Sequence, residues 1–305
     1  MNLSQSIQKW SNIQKDTKIV IVTDEEQKDM ALAIKEEGIY DVTIENCSQT
    51  EDFSKVLESF KSLKSSDLLI AMFSFDTFLI KGANRFFSPF SKPKGVAAKY
   101  IFIRLSISKE SLMEGLSTEK KLVYDKIHQM NKFDEGAGVH VTNGSGTDVT
   151  FKIHPFTTCS HEITEDGGMA FLPPSETSSE VIEGTANGKI VIDMTVGQLY
   201  HFTTLLSYFG LVKTPVTLLV KDGFITDIQG DEMAEELKEK LFSLSPDCRK
   251  LVELGQGLSK MKPTGLTGVD ESIIDSCHFG FGDGGECGVH LDLVIMEPTI
   301  KEVMK

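Results

Sequence analysis

Two histidines and an aspartate late in the sequence are the residues best equipped for chemistry. His278 precedes a glycine-rich stretch, Asp283 to Gly288, and the chain then reads Val289-His290-Leu291-Asp292-Leu293-Val294-Ile295. In a strand, successive side chains point to opposite faces. His290 and Asp292 then point one way, and Leu291 and Leu293 the other. Residues two apart in a strand are separated by about 7 Å, so both can grip one ion, or the aspartate can bridge two. With His278 the set becomes two imidazoles and a carboxylate, the donors of a facial Fe(II) triad and equally part of a zinc or cobalt site. The plain alternative is a satisfied core histidine and a turn aspartate.

The same stretch permits another grouping, Cys277, His278, Cys287 and His290, in which Cys287-x-x-His290 has zinc-ligand spacing. It leaves Asp292 without a role and asks two adjacent residues, Cys277 and His278, to reach one tetrahedral ion. Two glutamates are further candidates. Glu253 is flanked by apolar residues in Leu251-Val252-Glu253-Leu254-Gly255, where an unpaired buried charge would cost several kcal/mol, of order 3–5. Glu176 follows an apolar run and two prolines in Leu172-Pro173-Pro174-Ser175-Glu176. Each is a ligand or a solvated carboxylate.

The elements that must position these residues fall into two textures. Up to residue 135 the sequence alternates. Lys18–Thr23, Asp41–Glu45, Asp67–Phe73 and Tyr100–Arg104 read as strands, with helical spacing around Met30–Ile34, Val56–Leu63 and Lys109–Asn131. That alternation predicts an α/β domain with a parallel sheet. No G-x-G-x-x-G follows the first strand, so a dinucleotide site is not expected. Phe86–Lys94 reads as a packed loop. From 136 to 305, turn signals recur between β-rich runs (Val139–Thr142, Lys189–Met194, Pro215–Val220), and Asn187-Gly188 and Asp222-Gly223 are hairpin dipeptides. Met233–Phe242 is the one clear helix, so an α+β domain with a mainly antiparallel sheet is expected there.

Composition bounds the rest. The 305 residues carry 31 Lys+Arg against 45 Asp+Glu, a net charge of −14, which argues against a nucleic-acid partner because phosphate binding needs basic surface. No apolar run approaches the roughly 20 residues of a membrane helix. Residues 1–10 lack the pattern of a secretory signal. Five scattered cysteines suit reduced thiols, and a cytoplasmic protein is expected.

The ordered pieces LPPSE (172–176), ANGKIVID (186–193), KDGFITDIQG (221–230), LVELGQG (251–257), HFGFGDGG (278–285) and HLDLVIMEPTI (290–300), with GTDVT (146–150) upstream, resemble the aminopeptidase T/aminopeptidase S family of dinuclear metallopeptidases. The likeness runs from about Gly144 onward. It implies two divalent ions (zinc, cobalt or manganese) held by Glu176, Glu253, His278, His290 and Asp292, with Glu176 and Glu253 as the catalytic glutamates. It also implies small peptides as substrates and a homodimer whose second domains pair. A metal-activated water, with a glutamate as general base, would then cleave N-terminal residues. The tyrosine that family carries after its first C-terminal histidine has no counterpart in Phe279–Gly288, and loss of such an oxyanion donor costs about 10²–10³ in turnover. The chain is also shorter, chiefly in its first half. A shorter relative, 2,5-dihydroxypyridine dioxygenase, shares the resemblance. It implies one Fe(II) on His278, His290 and Asp292, a small hydroxylated ring as substrate, and His154 and His161 as further histidines by position. A catalytically weak binding protein on the same fold is the third expectation. The hydrolase leads.

Overall fold

A computed structural model describes residues 2–50 and 52–303. The chain divides into two units. The first comprises residues up to Thr118 together with Cys159–Ser175, and the second Glu119–Thr158 together with the chain from Glu176. This differs from a single cut at 135/136 in two respects. The helical stretch 109–131 breaks into Lys109–Ser117 and Lys120–Met130, of which the latter belongs to the second unit. And residues 159–175 return to the first.

In the first unit a five-stranded sheet has the order Asp41–Asn46, Lys18–Thr23, Leu68–Met72, Lys99–Ile103, Met169–Leu172, all neighbours parallel. Leu68–Met72 and Lys99–Ile103 are buried along their whole length, as strands covered on both faces must be. Helices Lys28–Glu36 and Phe53–Phe60 fall where the periodicity puts them. The second starts where the Asp52 side chain accepts from Ser54 N, capping an otherwise unpaired donor.

The second unit holds two sheets. One has six strands in the order Phe224–Gln229, Val216–Lys221, Asn187–Ile192, Asp148–Ile153, Ala137–Thr142, Thr299–Glu302. The other has seven: Thr204–Leu211, Thr195–His201, Leu291–Met296, Ser276–Phe281, Leu251–Gly257, Glu176–Glu180, Thr157–Thr158. All their pairings are antiparallel. Val139, Phe151, Ile190 and Leu218 of the first sheet share one core with Leu254, Phe279, Phe281, Leu291 and Leu293 of the second. The sheets therefore pack face to face, and the alternate residues of the seven-stranded sheet occupy its other face. Helix Glu232–Phe242 is present as expected. Asp222-Gly223 makes a hairpin, but Asn187-Gly188 does not. Those two residues open a strand, and Gly188, at φ 134, lies so close to the Asp148 carbonyl that no side chain fits. Among the described residues no helix is long and apolar enough to cross a membrane.

Candidate metal centre

The outer face of the seven-stranded sheet is where the chemistry gathers. Antiparallel pairing sets Glu253 opposite Gly280 and Gly280 opposite Asp292, so one cross-strand row reads Glu253–Gly280–Asp292. The neighbouring row sets Ser178 opposite Gly255 and Gly255 opposite His278. Directly opposed side chains stand about 4.5–5.5 Å apart at Cβ. A side chain at either glycine would therefore fill the space between the ligands. A Cβ on Gly280 would lie 2.9 Å from Glu253 Cβ and 3.0 Å from Asp292 Oδ1. On Gly255 it would collide with the His278 ring. The glycines leave a cradle into which four strands project donors.

All five residues expected from the sequence come together. His278 Nε2 lies 3.1 Å from Glu176 Oε2, both essentially buried. His290 Nε2 lies 3.4 Å from Glu253 Oε2 and 3.3 Å from Asp292 Oδ1. His290 and Asp292 therefore share a side, as strand alternation requires, while Leu291 and Leu293 enter the core. Three sets could hold a cation, each with its donor atoms within 4.8 Å of one another: Glu176–Glu253–His278, Glu253–His290–Asp292, and Glu271–His278–Asp292. Glu271 was missed in the sequence. It follows the one-turn helix Thr267–Asp270, and neither its spacing nor its neighbours mark it.

The local electrostatics couple the two histidines to the carboxylates around them. Asp292 chiefly, with Glu253, raises the His290 imidazole well above its ordinary value, against the opposing effect of burial. The His290 side chain is 40% exposed, so solvent screens part of this. Burial opposes charge on His278, but the surrounding carboxylates, Glu176 first, outweigh it and raise its pKa. Burial likewise opposes ionisation of Glu253, and hydrogen bonding from His290 with the charge of His278 reverses the balance, lowering its pKa. His290 Nδ1 is 3.2 Å from the Gly282 carbonyl. That oxygen only accepts, so Nδ1 carries the proton and Nε2 is the atom offered to an ion. His278 Nδ1 is buried with no hydrogen-bond partner.

The residues present fit a divalent ion of the borderline class, because nitrogen and carboxylate oxygen donors converge on a cradle kept open by glycine. The cysteine-containing grouping is corrected. Cys277 lies in the core on the face opposite His278, Cys287 packs with Cys248, whose Sγ donates to its carbonyl at 3.1 Å, and no candidate set among the described residues includes a cysteine. All five cysteines are free thiols. Beside Glu253 and His290 opens a cavity of about 540 Å³, lined also by His154, Thr157, Ser178 and Lys250. His154, 2.8 Å from Glu135, thus lies at the candidate site. His161 belongs to the first unit, edge-on to Trp10 at 6.3 Å, and does not line this cavity.

The sequence model of the NicX family, 2,5-dihydroxypyridine 5,6-dioxygenase, matches residues 2–262. Glu176 and Glu253 fall inside that stretch, and His278, His290 and Asp292 beyond it. No curated protein matches by sequence. The 2,5-dihydroxypyridine dioxygenase of Pseudomonas putida KT2440 is similar in structure with a TM-score of 0.62 at 16% identity, over 98% of this chain and 93% of that one. Wild-type AmpT of Thermus thermophilus is similar with a TM-score of 0.56 at 11% identity, over 96% and 94%. At such identities the two structures speak for the fold, and both resemblances drawn from the motifs are met.

Proposed function

The chain belongs to the 2,5-dihydroxypyridine 5,6-dioxygenase family, and from that premise we propose that it is a metal-dependent dioxygenase acting on a small hydroxylated ring. The hydrolase that led the sequence reading becomes the second reading, since its support is a fold shared at 11% identity. The observation that supports the proposal, beyond family membership, is Asp292, which shares one candidate donor set with His290 and another with His278 beside the glycine cradle. Those three would hold one Fe(II), which supplies redox access to dioxygen when bound.

The chain's own residues would do the remainder. His290, oriented by the Gly282 carbonyl, keeps Nε2 toward the ion position. The adjoining cavity of about 540 Å³ falls within the roughly 300–1,000 Å³ of small-molecule sites. On its wall Lys250, paired with Glu183 at 2.9 Å, and His154 would offer donors to ring hydroxyl oxygens. Glu253, whose carboxylate form is favoured beside His290, would accept a proton from such a hydroxyl.

The second reading keeps a specific observation. Glu176 and Glu253 complete a further donor set with His278, as a two-metal aminopeptidase-type hydrolase would need. A homodimer, a cytoplasmic location and small-molecule or small-peptide substrates accompany either reading. The deciding experiment is metal analysis of protein purified anaerobically without chelator, followed by oxygen uptake on 2,5-dihydroxypyridine. One iron per chain and substrate-dependent oxygen consumption are expected. Two zinc, cobalt or manganese ions per chain with peptide turnover would replace the first reading by the second.

A further inference from the structure

We infer that the first unit carries a binding site of its own, a preformed cavity for a small organic anion, with a carboxylate or phosphate group borne on an apolar body. It shares no residue with the metal centre and does not depend on how that centre is read. Helix Phe53–Phe60 and its C-cap Lys61 set Ser54, Leu57, Glu58 and Lys61 on one helix face, at the spacing i, i+3, i+4, i+7. Facing them is the chain from Asn84 to Gly95, which contains the two-proline segment Phe86–Lys94. Between the two opens a cavity of about 780 Å³, within the roughly 300–1,000 Å³ of small-molecule sites. The facing wall is held in place. Phe87 is buried in the core, Phe90 meets Phe171 edge-on at 6.3 Å, and Lys92 Nζ donates to the carbonyls of Ala97 at 3.1 Å and Gly167 at 2.6 Å. Pro89 and Pro93 fix their own φ. Gly95, at φ 82, leaves room for Lys61, whose Cε would stand 3.3 Å from a Cβ there.

The charge of the cavity is one-sided. Lys61, Arg85, Lys92 and Lys94 line it against a single carboxylate, Glu58, and Lys61 takes that one at 2.5 Å. Among the described residues Arg85, Lys92 and Lys94 have no carboxylate partner. In a chain of net charge −14, three such cations around one hollow run against the average of the surface. Burial lowers the Lys92 pKa, and no acid opposes it. Guanidinium and ammonium groups only donate, so their complement is an oxyanion, and the arginine fork matches carboxylate and phosphate oxygens. Leu57 and Phe86 set apolar surface beside these donors, which calls for an apolar body behind the charged group. Ser88 is a further lining residue. The Tyr100 hydroxyl, which the Ser88 backbone influences, is fully buried without a hydrogen-bond partner, so this wall lacks an acceptor on its inner side too.

The test is calorimetric titration of the full chain at low salt with phenyl phosphate, benzoate and, as the neutral control, benzyl alcohol. At least one of the two anions is expected to bind with a Kd of order 1 mM or tighter, the tighter naming the preferred head group, and benzyl alcohol at least about tenfold more weakly. The double variant Arg85→Gln/Lys94→Gln is expected to weaken the anion by at least about tenfold. Its thermal midpoint and metal content should match the wild type, since both side chains are exposed. His290→Asn should bind the anion as the wild type does. Undiminished binding in the double variant overturns the inference, as does equal affinity for benzyl alcohol or no anion binding up to about 10 mM. Anion binding that is lost in His290→Asn would belong to the metal centre and overturn it as well.

Discussion

His290 Nε2 and Asp292 Oδ1 stand 3.3 Å apart on one side of the chain, while Leu291 between them is buried in the core on the other. A single strand thus carries both jobs, donors outward and packing inward, in strict alternation. The site inherits its rigidity from the core beneath it.

That division can be separated experimentally. Leu293→Ala removes a fully buried side chain from the shared core and should cost about 2–5 kcal/mol of stability. Metal stoichiometry at low temperature should be retained, since no donor is lost. Chemical denaturation and metal analysis of the same variant check both halves. Loss of metal from a still-folded protein would show that packing and ligation are not separable.

The glycine cradle yields a steric prediction. Gly280→Ala places a methyl 2.9 Å from Glu253 Cβ and 3.0 Å from Asp292 Oδ1, an overpacking of the sort that costs about 1–3 kcal/mol. Because those neighbours are the donors, the expected outcome is metal affinity reduced by at least about tenfold. Gly144→Ala, whose methyl meets nothing within 4 Å, should bind as the wild type. Isothermal titration of both variants compares them directly.

Protonation should govern the metal-free protein. His290 has its pKa raised above the ordinary 6.5 by Asp292 and Glu253, and His278 shifts in the same direction. A group so shifted stabilises the fold fully below its unfolded pKa, and the contribution is lost as pH rises through the folded value. Chelator-treated protein should therefore melt higher near pH 6 than near pH 8.5, with the difference reduced in His290→Asn. Metal affinity should run the other way and strengthen with pH, because the ion displaces those protons. Thermal melts across the range test the sign.

Stoichiometry distinguishes the two readings of the site through one residue. Glu176 belongs to the donor set with Glu253 and His278, and is not among the three residues that the dioxygenase reading assigns to iron. Glu176→Gln should then leave about one iron per chain and lose no bound metal if the centre is mononuclear. Loss of one of two bound ions, read by elemental analysis, would instead establish the dinuclear arrangement.

Much of this was legible in the residues. β-branched runs and helical spacing placed the first four parallel strands, and period-two alternation in Val289–Ile295 placed His290 and Asp292 together. What the sequence concealed has physical causes. Met169–Leu172 is a short apolar run whose partner, Lys99–Ile103, lies some 70 positions earlier, and periodicity carries no information about such pairing. Asn187-Gly188 has hairpin chemistry, but a close approach to Asp148 decides its glycine. Glu271 comes near His278 and Asp292 only in the folded chain, a proximity no local spacing announces.

Met169–Leu172 carries one more implication. It completes the first unit's sheet, and four residues later Glu176 begins a strand of the second. The polypeptide passes between units three times, after Thr118, Thr158 and Ser175, so neither unit corresponds to one uninterrupted stretch of gene. A fragment ending at residue 135 would bare the wholly buried strand Lys99–Ile103 as a sheet edge, an invitation to aggregate. Neither unit can therefore be cut out of the chain as one continuous fragment.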